Sequence, residues 1–258
     1  MEMENTRQTN YTIAEGFELP SKGLIYSKPV NPNVELRSFT ARDEMKRSAP
    51  TNLPYKLLAD ILEGCLIEKP AIHVYDMCLG DYEYLLHKAR IISYGDFYKM
   101  TLQCPNCGKF VDAETHLNEL TVKDFNEEIY EKLKSVTLPD SQTKVTLNYL
   151  TPRMLDEREA KSKELKRNRQ NVEIDFGTFV TLLQVIDLVD GEKLVGSQLE
   201  NFINKLSAKD MLKILQSADK LTNSIGIDTK ITAFCPECGD EFDTFFRIGP
   251  KFFRPDIN

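Results

Sequence analysis

Histidine and glycine are thinly spread in this chain, and both shortages matter. Three histidines serve 258 residues. His73, His87 and His116 stand in no metal-ligand spacing and beside no serine or cysteine that they could activate. Each is read as an ordinary surface or core side chain. With only 12 glycines, there is no glycine-rich phosphate loop, no G-x-S-x-G elbow and no loop built to cradle a cofactor. Acidic residues are plentiful but scattered. No catalytic residue, enzymatic activity or small-molecule substrate is therefore expected. No run approaches the roughly eighteen apolar residues of a membrane span. The polar, acidic start Met1-Glu2-Met3-Glu4-Asn5 has no secretory pattern, so no membrane partner is expected. Positive charge is short too: 33 Lys and Arg face 40 Asp and Glu, a net charge of −7.

What remains is an ordinary globular composition, 41% hydrophobic and 28% charged, long enough for one large core or two small ones. Against that background the cysteines stand out. Four of the six fall in two runs, Cys104-Pro105-Asn106-Cys107-Gly108 and Cys235-Pro236-Glu237-Cys238-Gly239. Two C-x-x-C pairs supply the four soft ligands of a tetrahedral zinc site. In each run the proline fixes φ and shapes a tight turn, and the glycine can take positive φ so that backbone amides face the sulfurs. Strand-like residues flank both: 97–102 and 109–111 around the first, 230–234 and 241–246 around the second. Two hairpins with knuckles at their tips predict a zinc ribbon holding one structural Zn2+ through Cys104, Cys107, Cys235 and Cys238. A redox C-x-x-C would open a helix, a disulfide inside either turn would be strained, and a catalytic zinc would need an open position that four thiolates do not leave. Reduced cysteines at metal spacing fit a cytosol-like compartment. Cys65 lies on an apolar helix face and is read as core; Cys78 is left over.

Many zinc ribbons bind nucleic acid, but through basic surfaces. Here Asp240, Glu241 and Asp243 follow the second knuckle, and Asp112 and Glu114 the first, so phosphate is repelled and nucleic acid is not the expected partner. The alternative, a zinc-ribbon transcription or nucleic-acid-binding factor, would need a basic groove from Lys161, Lys163, Lys166, Arg167 and Arg169. These are read instead as a solvated helix end, with Glu157–Lys161 and Glu159–Lys163 pairs and cations suited to the helix dipole.

The rest of the chain divides by pattern. Residues 1–15 are polar and read as a flexible N-terminal tail. Residues 16–115 form an N-terminal α+β region with the first knuckle. In it, Leu24-Ile25-Tyr26 reads as a short strand, and Val34 to Phe39 alternates. Thr40 and Asp43 make a capping box, and helices are predicted over 55–67 and 79–93. Residues 116–228 are an inserted β-hairpin and helical region. Thr121 to Leu133 reads as partly helical, a hairpin joins 135–138 to 144–150, and Thr151-Pro152 opens a charged helix. Stripes over Phe179–Ile186 and Leu199–Leu206, and a helix capped by Ser207, complete it. Residues 229–258 carry the second knuckle hairpin and an aromatic, proline-bounded tail, in which Phe252 and Phe253 either dock on a partner or fold back on the core. The fold class is thus α+β: an N-terminal β-hairpin and helices, a four-cysteine zinc ribbon formed by two distant C-P-x-C-G hairpins, and a large, mainly helical insertion between them.

Several short segments together resemble baseplate proteins of T4-like contractile-tailed phages. They are Leu19-Pro20-Ser21-Lys22-Gly23-Leu24-Ile25-Tyr26, then Thr40-Ala41-Arg42-Asp43-Glu44, then Gly80-Asp81, Tyr84-Leu85-Leu86, Arg90, Ser93-Tyr94-Gly95 and Tyr98, running into Cys104-Pro105-x-Cys107. The resemblance covers residues 16–115 best. It implies a component or assembly chaperone of the central baseplate hub that binds other hub proteins, is made in the host cytoplasm and can remain in the virion tail. It implies no enzymatic activity and carries over no catalytic residue. Within the same run, Asp81 and Arg90 lie nine positions apart on a helix and are not expected to pair. Arg90 is expected to be buried and to bridge toward the ribbon.

Overall fold

The computed structural model describes residues 12–168, 174–246 and 248–253. It opens with an antiparallel pair, β1 (Ala14–Glu18) and β2 (Asn33–Arg37), with Ala14 opposite Arg37. Of the stretch read as a tail, residues 1–11 lie outside the described residues, while Ala14 and Glu15 pair in β1. The run Leu24-Ile25-Tyr26 is not the strand expected of it; it lies in a turn and bend. Gly23 explains why. Its φ is +69°, and a Cβ there would lie 2.1 Å from the Val30 carbonyl oxygen, so the chain doubles back on itself before a strand can form.

Helix α1 (Ala41–Arg47) starts from the expected capping box: Asp43 N–H donates to Thr40 Oγ1 and Thr40 N–H to Asp43 Oδ2. Helix α2 (Pro54–Cys65) has no side-chain cap of its own. The buried carboxylate of Asp156 accepts from the Tyr55 and Lys56 amides at 3.3 and 2.8 Å, and from Tyr75 Oη at 3.0 Å, a cap supplied from a hundred residues away. Helix α3 (Leu79–Tyr94) leads into the hairpin β3 (Phe97–Gln103) and β4 (Phe110–His116).

The region read as partly helical holds β5 (Val122–Lys123) and α4 (Glu127–Leu133). The expected hairpin follows as β6 (Ser135–Thr137) and β7 (Lys144–Leu147), then the charged helix α5 (Pro152–Asn168). Helix α6 (Phe176–Val185) stops one residue short of its predicted stripe, because Ile186 begins a third strand, β8 (Ile186–Val189), that pairs with β7. Helices α7 (Ser197–Lys205) and α8 (Ala208–Thr222) follow, α8 capped by Ser207. Strand β9 (Gly226–Ile227) pairs back on β5, and β10 (Lys230–Phe234) with β11 (Glu241–Phe245) forms the second knuckle hairpin. Residues Pro250–Phe253 form a 3-10 turn.

Three cores organise these elements. The first joins β1, β2, α2 and α3 to Phe246, Ile248, Phe252 and Phe253. The second lies within residues 138–221, where Val145, Val185, Ile214 and Leu221 meet. The third, small one sits between the two knuckle hairpins. The aromatic tail therefore folds back: Phe253 stacks on Phe39 at 5.2 Å, and Phe252 meets Tyr98 at 5.0 Å. No described helix is long and apolar enough to cross a membrane.

Candidate metal centre

The knuckles are the same turn made twice. Gly108 N–H donates to Cys104 O at 2.9 Å and Cys104 N–H to Lys109 O at 2.8 Å. The second turn matches, with Gly239 to Cys235 at 2.8 Å and Cys235 to Asp240 at 2.9 Å. Gly108 and Gly239 have φ of +71° and +75°, with no atom within 4 Å of either missing Cβ. Their glycines are needed for backbone conformation, not for room.

The likeness extends beyond the knuckles. At one constant spacing, Lys99, Thr101, Cys104, Pro105, Cys107, Gly108 and Asp112 correspond to Lys230, Thr232, Cys235, Pro236, Cys238, Gly239 and Asp243. Thr101 donates across the hairpin to Asp112 at 3.1 Å, and Thr232 to Asp243 at 2.8 Å. Reading the knuckles alone missed this longer repeat; comparing the two flanks position by position reveals it.

The two hairpins face each other through Leu102, Val111 and Ala113 on one side and Ala233 and Phe242 on the other. That packing brings the four predicted ligands together, with all four sulfurs within 4.8 Å of one another. Cys104 Sγ lies 3.7 Å from Cys238 Sγ, and Cys107 Sγ lies 3.6 Å from Cys235 Sγ. A tetrahedral zinc with bonds of about 2.3 Å sets its sulfurs about 3.8 Å apart, so the set fits such an ion. Cys104 and Cys235 are buried; Cys107 and Cys238 are exposed. The Cys107 amide, with that of Asn106, lowers the Cys104 thiol to about 7. At Cys238 the Asp240 amide favours the thiolate, but partial desolvation and the three neighbouring sulfurs outweigh it and push the thiol to about 12. Four thiols this close cannot all ionise without a cation between them. Among the described residues, this is the one cluster of His, Cys, Asp or Glu close enough to hold a metal.

Two of the segments that carried the phage resemblance, residues 19–26 and the start of α3, meet at Asp81. Asp81, fully buried, accepts from Ser21 N at 2.9 Å, from Ser21 Oγ, and from Tyr26 Oη at 2.6 Å. Burial raises its carboxyl above the usual range, against these hydrogen bonds. Gly80 lies so close to β9 that a Cβ would be 2.4 Å from the Ile225 carbonyl oxygen. Arg90 does not pair with Asp81. It is buried, donates to Gly95 O at 3.3 Å, and lies over the rings of Tyr94 and Tyr98, so it ties α3 to β3, the first strand of the first knuckle hairpin.

The histidines lie apart from the cysteines. His73 caps a short turn, His116 sits 3.2 Å from Asp96, and buried His87 donates Nε2–H to Leu117 O at 2.8 Å. Cys65 is core and Cys78 caps α3. An open cleft of about 600 Å3 runs past Tyr26, Tyr130, Tyr149 and Met154. Its two carboxylates are already engaged, Asp76 by Arg153 and Asp187 by Lys193. Lys161, Lys163, Lys166 and Arg167 lie on the exposed half of α5, with Lys163 bound to Glu159, while Arg169 is outside the described residues.

Comparison with known proteins gives one family match: the model described as T4 bacteriophage base plate protein matches residues 14–254. No curated protein and no solved structure matches.

Proposed function

The chain belongs to the T4 bacteriophage base plate protein family, matched over residues 14–254, and from that membership we propose that it serves the central hub of the tail baseplate. It does so as a hub component or hub-assembly chaperone, by binding other hub proteins and without enzymatic activity. It acts in the host cytoplasm while the tail is built and can remain in the virion tail. The family match carries this reading.

A single structural Zn2+ bound by Cys104, Cys107, Cys235 and Cys238 completes the proposal, supported by four sulfurs within 4.8 Å. With four thiolates no position is left open for substrate, so the ion fastens the two hairpins together. The acidic flanks argue against nucleic acid. Two measurements test the proposal. Metal analysis is expected to give about one zinc per chain. The full-length chain, co-expressed with each hub protein of the same phage, is expected to co-purify with at least one; failure with all of them would overturn the hub role.

A further inference from the structure

All exposed phenylalanines among the described residues sit on the two knuckle hairpins: Phe97, Phe110, Phe234 and Phe245, at 42%, 73%, 57% and 66% exposure. The other described phenylalanines are buried or half-buried. The other exposed large apolar side chains are spread along the chain, and exposed aromatic rings gathered on one module mark a contact surface.

The repeat provides an internal control for the second hairpin. Where it has Phe234 the first has Gln103, and where it has Phe245 the first has Glu114. In the pair next to the knuckle each hairpin carries one phenylalanine, Phe110 opposite Gln103 and Phe234 opposite Glu241, whereas the first hairpin has Lys99 opposite Glu114 where the second has Lys230 opposite Phe245 and so closes without an aromatic group at that end. Phe234 and Phe245 also belong to none of the three cores. Both rings are left to solvent rather than packed.

Register shows what surrounds them. Phe234 faces Glu241, Thr232 faces Asp243 and Lys230 faces Phe245, all on the outward side. The two rings stand at opposite ends of this face, about 14 Å apart along the strands, with carboxylates between. The turn adds Glu237 and Asp240. Lys230 is the hairpin's single cation, and Asp243 already holds it at 2.6 Å. Glu237, Asp240 and Glu241 are left without a cation among the described residues. The first hairpin balances Lys99 and Lys109 against Asp112 and Glu114, so the excess negative charge belongs to the second hairpin alone.

We infer that the outward face of β10 and β11 docks a basic, apolar-anchored segment of another baseplate protein. Lys or Arg of that segment meet Glu237, Asp240 and Glu241, and its apolar side chains cover Phe234 and Phe245. This rests on the baseplate role proposed above.

The test uses the full-length chain co-expressed with each tail protein of the same phage. Phe234→Ser combined with Phe245→Ser is expected to weaken capture of the partner at least about tenfold, with metal content and melting temperature unchanged. Glu237→Gln with Glu241→Gln is expected to weaken capture and to flatten its dependence on ionic strength. A photo-crosslinking phenylalanine analogue at position 234 of the otherwise intact chain is expected to join a partner segment of net positive charge. Undiminished capture by the phenylalanine variant, or crosslinking to an acidic segment or to nucleic acid, overturns the docking face and leaves the baseplate role standing. If the unsubstituted chain captures no tail protein, the role fails and the docking face fails with it.

Discussion

Single side chains set two measurable properties. Burial holds the His87 imidazole at about 4, below its ordinary 6.5. The folded chain therefore keeps the ring neutral while the unfolded chain takes up a proton first. The stability from this residue is complete above pH 6.5 and is lost as pH falls through 6.5 toward 4, up to about 3 kcal/mol in all. His87→Gln retains a donor for Leu117 O, and a urea titration is expected to show less stability lost over that pH range than in the unsubstituted chain. The cysteines set the second property. Cys235→Ser removes one ligand from a set bound in concert, so metal content is expected to fall well below one per chain and the thermal midpoint to drop. A protein that melts alike with and without chelator would rule out the metal clasp.

At the scale of elements, two glycines give opposite forecasts. Gly80→Ala places a methyl 2.4 Å from the Ile225 carbonyl oxygen and forces α3 off β9, an expected loss of about 1–3 kcal/mol. Gly64→Ala on α2 meets nothing within 4 Å and is expected to be neutral or to stabilise by up to about 1 kcal/mol. Denaturant midpoints distinguish the two. Asp156→Ala strips α2 of its borrowed cap and Tyr75 of its acceptor, for about 1–3 kcal/mol. These contacts also mark the limit of what was legible beforehand. The capping box at Thr40, the stripes of α2 and α3 and both knuckle hairpins were readable because each is written within a few consecutive residues. The cap from Asp156, the approach of Gly80 to Ile225 and the pairing of β8 with β7 were not, since each depends on which distant segment arrives. Leu24-Ile25-Tyr26 misled for a related reason: its apolar pattern suits a strand, but Gly23 bends the chain and Tyr26 is held at Asp81. The four cysteines were legible as one site because ligand chemistry links them across the chain, where periodicity cannot.

For the whole molecule, the insertion and the first core are built differently. The insertion has its own apolar interior, whereas the first core is completed by residues far along the chain, Phe246 to Phe253. Phe252 and Phe253 are almost fully buried, and replacing either with Ala is expected to cost about 3–5 kcal/mol, measured as a shift in chemical unfolding. The order in which a ribosome releases the chain gives this arrangement a consequence in time. Cys104 and Cys107 emerge with no opposite pair to meet until residues 235–238 are made, and the first core waits with an open side until residues 246–253 follow. A nascent chain thus cannot seal its amino-terminal half early. The second hairpin is synthesised only as that seal becomes possible, so its outward face is presented only by chains that already carry both cysteine pairs.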